Sequence, residues 1–384
     1  MEFEVVLFAM IATIPASDIF LPSLPQMSHD FLVSEAAIKS TIVIFQMGCI
    51  ISALFMGFLS DQFGRKPLLM TGLILFCTGS LVCTFSSHYG LFLLGRFLQG
   101  CGAITIPVVG WALIYDKYDE QKSAYIMAIM GGFFSLSPLI SPTLGGYIAV
   151  KLGWHWNFSI LALLSFLALA FTSKLREEPR QRERASLSLS HYYQSFQTVF
   201  DNKIFLLYVL IFALLISSEW FYLTHVPFYL EKFIGLNPQQ SGFFISFVGL
   251  FYLLGAMVTP YFIRTFGIKE TAGIGLKIAC LSTVFTLASL VVDKGILIFF
   301  AIGISIFLFG QALTWSPSTT ISLQSVKTQK GVASSVRSLL FVGAGALGSY
   351  LSSLTENHSA LPISISLSVC SLASLFLFMK NKHH

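Results

Sequence analysis

Twelve apolar runs of roughly 20 residues each, parted by charged residues or Gly, Pro and Asn, organise this 384-residue chain. A hydrocarbon core offers no water to backbone N–H and C=O groups, so each run must close its hydrogen bonds within itself as an α-helix. The runs fall at about 5–25, 37–60, 67–86, 89–114, 123–150 and 155–173 in the first half, and at about 204–230, 239–263, 269–292, 295–320, 329–354 and 360–379 in the second. None alternates apolar and polar residues as a membrane barrel would. The expected fold is an all-α membrane protein with twelve transmembrane helices. Composition agrees: 55% of residues are AVILMFWYC and 11% are charged, whereas a soluble domain carries about a quarter charged residues. A soluble enzyme, a nucleic-acid binder and a disordered chain are excluded. The six cysteines stand singly in apolar runs, with no CxxC, and read as small hydrophobes. No metal and no cofactor is expected. The first run lacks a basic n-region and an A-x-A site, so no cleaved signal peptide is expected.

Placing the N-terminus in the cytoplasm puts seventeen Lys and Arg on that side and four on the other, with Arg96 and Lys277 inside spans. The positive-inside rule then orients the chain with both termini cytoplasmic. One long charged break opens with LREEPRQRER and divides the chain into a six-helix bundle at 1–173, a linker at 174–203 and a second bundle at 204–384. Within the linker, Leu189, Tyr193, Phe196 and Phe200 have the spacing of one helix face. That pattern suits a lateral interfacial helix, with the basic run against anionic headgroups. A solvated linker is the alternative.

The two halves echo each other. Ser17-Asp18-Ile19-Phe20 matches Ser218-Glu219-Trp220-Phe221, and Phe63-Gly64-Arg65-Lys66 falls opposite Phe266-Gly267-Ile268-Lys269. Leu144-Gly145-Gly146-Tyr147 falls opposite Leu347-Gly348-Ser349-Tyr350. Three landmarks in one order, at offsets of 201 to 203 residues, point to duplicated halves. Such an architecture places a substrate site near the midplane, between halves that rock.

Charges inside spans are costly and default to function. By a rise of about 1.5 Å per residue, Asp18 and Arg96 both lie ~20 Å from the cytoplasmic edge, and so share a layer. Asp18 reads as a protonation switch competing with substrate, with Arg96 tuning its proton equilibrium. The bland alternative is a static ion pair between the first and fourth helices. Glu219 reaches a similar depth in the seventh helix. It suits a second proton carrier, a contact for a cationic substrate group, or a gate residue with His225. Lys277 can snorkel and is given no role.

Four motifs then resemble the major facilitator superfamily, above all its twelve-helix proton-coupled drug antiporters of the bicyclomycin-resistance subfamily. Asp18-Ile19-Phe20-Leu21-Pro22-Ser23-Leu24-Pro25 is similar to the subfamily's first-helix signature. Gly57-Phe58-Leu59-Ser60-Asp61-Gln62-Phe63-Gly64-Arg65-Lys66-Pro67 matches the superfamily's loop between helices two and three. Arg96-Phe97-Leu98-Gln99-Gly100-Cys101-Gly102 resembles the fourth-helix motif. The run from Ser137 to Gly146, with Pro138, Pro142, Gly145 and Gly146, resembles the fifth-helix antiporter motif and is followed by Gly153-Trp154-His155-Trp156. Where relatives often carry Arg before the run to Asp116, this chain has Trp111, which leaves the cargo open.

The resemblance implies that Gly57, Asp61, Gly64, Arg65 and Lys66 form a conformational latch favouring the outward-facing state. Pro138 and Pro142 are expected to disrupt helix five, with Gly145 and Gly146 thinning it for close approach. Pro22 and Pro25 should open the top of helix one. Phe45, Trp111, Tyr115, Trp220, Tyr222 and Trp315 are candidate pocket aromatics beside Asp18 and Glu219, since such faces bind cations. The expected function is proton/substrate antiport exporting amphipathic drugs across the bacterial inner membrane by alternating access. Its partners are a small-molecule substrate, protons and the lipid bilayer, with the chain working as a monomer. A dedicated metabolite or siderophore transporter, including proton-coupled uptake, is the alternative. A membrane enzyme is a distant third, since the sequence holds no P-loop, HExxH or GxSxG.

Overall fold

The computed structural model describes residues 2–175, 197–291, 296–326, 330–355 and 359–381. Among these residues twelve helical segments are long and apolar enough to cross a membrane, and there is no strand. They are α1 (Glu2–Asp30), α2 (Glu35–Phe63), α3 (Arg65–Phe85), α4 (Tyr89–Lys117), α5 (Glu120–Leu152) and α6 (His155–Ser173). The second set is α7 (Lys203–Lys232), α8 (Pro238–Phe266), α9 (Ile268–Ala288), α10 (Ile296–Ser325), α11 (Lys330–Ser353) and α12 (Leu361–Lys380). Exposed apolar side chains such as Phe166, Val284 and Phe376 are the ones such a chain turns toward lipid. The expected interfacial helix lies mostly outside the described residues, of which 197–200 are helical.

The chain divides into two compact units: Met1–Ala185 with Asn237–Phe243, and Ser186–Leu236 with Phe244–His384. The first turn of α8 thus belongs with the N-terminal unit, a departure from a boundary drawn on helix order alone. There the Gly146 position of α5 meets the Pro238 carbonyl, and Gly242 meets the carbonyl of Pro142.

Helix starts follow their caps. Ser34 accepts from the Ala37 N–H at 3.2 Å, Asp119 from Lys122 at 2.8 Å and Asn202 from Phe205 at 2.9 Å. The Asn202 amide also donates to the Ser325 carbonyl at 2.9 Å, joining the start of α7 to the end of α10. The repeated turn of the sequence has a matched backbone. Gly64 ends α2 with φ +98° and Gly267 ends α8 with φ +85°, a region that glycine enters without Cβ strain.

Apolar side chains gain little by leaving lipid for one another, so helix pairs here rely on close backbone approach. A Cβ at Gly79 of α3 would sit 2.6 Å from the Gly95 carbonyl of α4, and one at Gly275 of α9 2.6 Å from the Gly310 carbonyl of α10. The fifth-helix landmark repeats as well: Gly145 abuts the Ile19 carbonyl of α1, and Gly348 of α11 abuts the Ser217 carbonyl of α7. Each contact lies within two residues of an intramembrane acid, Asp18 or Glu219.

Prolines act differently in α1 and α5. Although one continuous run is expected over 5–25, α1 is broken. An α-helix over Glu2–Thr13 gives way to 3-10 turns at Ile14–Ser17 and Leu21–Ser23, and helix resumes at Leu24–Asp30. Pro15, Pro22 and Pro25 remove three amide donors from this stretch. By contrast α5 stays one continuous helix from Glu120 to Leu152 with Pro138 and Pro142 inside it. Disruption at these prolines stops short of a break: neighbouring groups and local adjustment accommodate proline in spanning helices.

Beyond Gly153, Trp154 is buried and donates to Asp30 Oδ2 at 2.8 Å, tying the end of α1 to the start of α6. Its ring packs on Phe31, Phe92 and Phe158.

These close approaches set a test by glycine replacement. Gly145→Ala and Gly348→Ala each push a methyl into a backbone carbonyl and should destabilise by about 1–3 kcal/mol. Gly343→Ala, with nothing within 4 Å of its Cβ, should be neutral or stabilising by up to about 1 kcal/mol. Thermal melts of the purified variants in one detergent check the difference in sign.

Candidate functional site

The N-terminal unit builds its site around the α1 break. Asp18 sits at the end of the first 3-10 turn, its N–H bonded to the Pro15 carbonyl, and its side chain is buried. Ser137 Oγ of α5 donates to Asp18 Oδ2 at 3.4 Å and exchanges a hydrogen bond with Ser141 at 3.1 Å. Among the described residues no Lys or Arg lies within ion-pair distance of this carboxyl.

Arg96 of α4 is fully buried. Its Nη1 donates to the Ala16 carbonyl at 3.1 Å and to Gln99 Oε1 at 2.7 Å. Gln99 in turn donates to Ser80 Oγ of α3 at 2.8 Å. The guanidinium carbon lies 4.2 Å from the Phe20 ring centroid and 4.4 Å from that of Phe45. Desolvated cation–π contacts of this kind are worth about 2 kcal/mol each. Asp18 and Arg96 thus flank the same break without pairing, so the static ion pair considered from sequence is absent. Arg96 grips the backbone just before the acid, and its Nε and Nη2 have no hydrogen-bond partner.

At the turn between α2 and α3, Arg65 Nε donates to Asp116 Oδ2 of α4 at 2.9 Å, and its guanidinium also meets Ser60 Oγ. Lys66 Nζ donates to the Leu175 carbonyl at 2.7 Å. Gly57 lies in α2 and Gly64 makes the turn; the Asp61 side chain lies outside the described set. Sequence reasoning does not single out Asp116 as a partner for Arg65, because nothing local marks an acid 51 residues away.

In the C-terminal unit Glu219 of α7 is half-buried, and its Oε2 accepts from Gln311 Nε2 of α10 at 2.7 Å. Tyr222 is fully buried on the same helix, and its hydroxyl has no hydrogen-bond partner. Tyr252 of α8 and Tyr222 both lie within electrostatic reach of Glu219. His225 is buried, with Nδ1 3.3 Å from Thr355 Oγ1 and its ring stacked on Phe221. Unlike α1, α7 is unbroken around its acid.

The aromatic candidates separate. Phe45 belongs to the Arg96 cage, while Trp111 and Tyr115 lie exposed toward the C-terminal end of α4. Trp220 is half-buried next to Glu219. Trp315 packs edge-on to Phe212 at 4.8 Å and lies 5.5 Å from Phe341. Arg337 stacks over Trp315 and Phe341 at 5.8 and 5.6 Å. The positive-inside reading counts Arg337 among the seventeen cytoplasmic basic residues, although it falls inside the run at about 329–354. The structure corrects this to a residue inside α11, and the basic-residue bias survives its removal. Gln311 escapes sequence reasoning because a single amide in an apolar run looks like any other helix polar residue.

Comparison with known proteins agrees with this architecture. Residues 6–349 match the profile described as Major Facilitator Superfamily. The chain is 28% identical over 329 residues to the chloramphenicol resistance protein CraA of Acinetobacter baumannii, covering 85% of this chain and 79% of that one. It is 27% identical over 389 residues to the multidrug resistance protein MdtL of Salmonella schwarzengrund, covering 96% and 92%. The structure superposes on a D-xylose-proton symporter with a TM-score of 0.79 at 16% identity, covering 98% of this chain and 96% of that one. It also superposes on a mutant of the nucleoside transporter NupG with a TM-score of 0.77 at 14% identity, covering 99% of both. These two likenesses show the fold. The chain is a transporter, not an enzyme, and it belongs to the Major Facilitator Superfamily.

Proposed function

We propose that this transporter is a proton-coupled antiporter exporting amphipathic small molecules across a bacterial inner membrane, with both termini cytoplasmic. The observation that carries the reading is Asp18: a buried carboxyl in a helix break, touched by the Ser137 hydroxyl and facing no cation at ion-pair distance among the described residues. Such a group can hold or release a proton without breaking a salt bridge. Chloramphenicol and multidrug resistance among relatives that align over most of the chain support drug-like cargo. Trp220 and Tyr222 on α7 and Trp315 on α10 offer it aromatic faces in the C-terminal unit.

In this cycle a proton from outside neutralises Asp18, and substrate leaves as the chain alternates access. Arg96 acts as a positioning residue by fixing the Ala16 carbonyl. One proton moved through 100 mV and one pH unit supplies about 3.7 kcal/mol, enough to sustain about a 500-fold gradient of a neutral substrate. The turn around Asp61, Gly64, Arg65 and Lys66 acts as a latch on the conformational equilibrium, and the α5 motif at Pro138, Pro142, Gly145 and Gly146 provides close packing that limits leak.

Asp18→Asn preserves shape but removes the titrating group, and should abolish transport driven by an imposed pH gradient in proteoliposomes while leaving the melting temperature near wild type. Gradient-driven transport at the wild-type rate would refute the role of Asp18. Asp61→Asn should slow transport in vesicles with little change in substrate affinity in detergent, because a latch acts on the state equilibrium and not on the site. A parallel collapse of affinity and rate would refute the latch.

A further inference from the structure

The polar cluster around Glu219 contains more hydrogen-bonding capacity than the protein itself uses. Gln311 is fully buried and aims its amide nitrogen at the Glu219 carboxylate, 2.7 Å away. Its Oε1, borne on the same carbon as that nitrogen, has no partner, and neither does the buried Tyr222 hydroxyl three residues along α7 from Glu219. Buried polar atoms are nearly always satisfied, so two orphans beside one carboxylate mark a place where another group completes the set. Glu219 and Trp220 are only half-buried, so the cluster is reachable along α7.

We infer that the C-terminal unit carries a recognition subsite for a cation bearing at least one N–H, with Glu219 as counter-charge and Gln311 Oε1 and the Tyr222 hydroxyl as hydrogen-bond acceptors. The chemistry follows from the residues present. An ionised carboxylate and the Gln311 Oε1 carbonyl can only accept, and the bond from Gln311 Nε2 to Glu219 fixes which end of the amide faces the carboxylate. A carboxylate beside an amide oxygen offers an ammonium both charge neutralisation and a second hydrogen bond. Tyr222 and Tyr252, both in electrostatic reach of Glu219, add aromatic walls that tolerate a positive charge. Arg337, a half-buried cation on α11 of the same unit, stacks on Trp315 and Phe341 and forms no ion pair with Glu219 among the described residues. An anion would meet the like charge of Glu219.

A quaternary ammonium satisfies the charge but cannot donate to Oε1. The subsite therefore discriminates between cations of equal charge by their N–H groups, since a site built to hydrogen-bond a group rejects an analogue that lacks it. This specificity rests on the transport reading above for its purpose, but it is measured without any gradient.

The test uses the full-length protein in nanodiscs and three dansyl probes sharing one linker. The linker ends in a primary ammonium, in a trimethylammonium or in a neutral tert-butyl group that neither donates nor carries charge, and affinity is read from dansyl fluorescence. Wild type should bind the primary ammonium about tenfold more tightly than the trimethylated probe. Gln311→Met, similar in shape but without the amide, should erase that preference and leave the neutral probe unchanged. Glu219→Gln should weaken both cations by about tenfold or more and spare the neutral probe. Unchanged neutral binding reports a folded site in each variant, and Gln311→Asn should retain part of the preference. A wild type that does not distinguish the two cations overturns the proposal. So does a Gln311→Met protein that keeps the preference, or a Glu219→Gln protein that loses all three probes alike. Failure of proton coupling at Asp18 would show in gradient-driven transport, and would leave these affinities as they are.

Discussion

The hydrogen bond from Arg96 to the Ala16 carbonyl is the contact on which the N-terminal unit's site depends. Prolines strip donors from α1 across the stretch where Asp18 lies, and unpaired carbonyls at membrane depth are costly. A buried guanidinium with five donors is suited to supply what the broken helix lacks. It is held there by Gln99 and by the faces of Phe20 and Phe45. Lysine would bring a charge but no planar group to lie between two rings. The acid can thus stand outside regular helix because a cation on a neighbouring helix stabilises the gap, and the cation is not spent on the acid itself.

The two units solve the same packing problem with the same residues and then diverge. Gly145 and Gly348 each bring a helix against a carbonyl close to an acid, and Gly64 and Gly267 make the same positive-φ turn. Yet Asp18 sits in a break beside a serine, whereas Glu219 sits on an unbroken helix beside an amide. The matched glycines give both units the same scaffold, and Pro15, Pro22 and Pro25 around Asp18 give the two acids different surroundings. One carboxyl is suited to exchanging a proton. The other sits among acceptors suited to a cation.

Helix number, helix order and the repeat were legible in the sequence because lipid forces long apolar runs and because glycine positions are set by backbone geometry. The turn at Gly64 is an example: only a residue free of Cβ strain ends α2 in that conformation. Asp18 and Glu219 were legible because carboxyls in such runs are rare. The sequence did not reveal the partners. Gln311 lies 92 residues from Glu219 and Ser137 lies 119 from Asp18, and no local pattern encodes either meeting. Arg337 is counted as a cytoplasmic charge although the run at about 329–354 already holds it, and α11 keeps it inside the helix. The α1 break was only partly foreseen. Proline at 138 and 142 left α5 whole, so proline content alone does not decide where a spanning helix opens.

Asn202 caps α7 with its side-chain oxygen and grips the end of α10 with its nitrogen. One amide thus fastens two helix ends that are distant in sequence. To unwind its first turn, α7 must give up both the cap and the tie to α10. Fraying at the start of α7 therefore costs two bonds at once, and the ends of α7 and α10 open together or not at all.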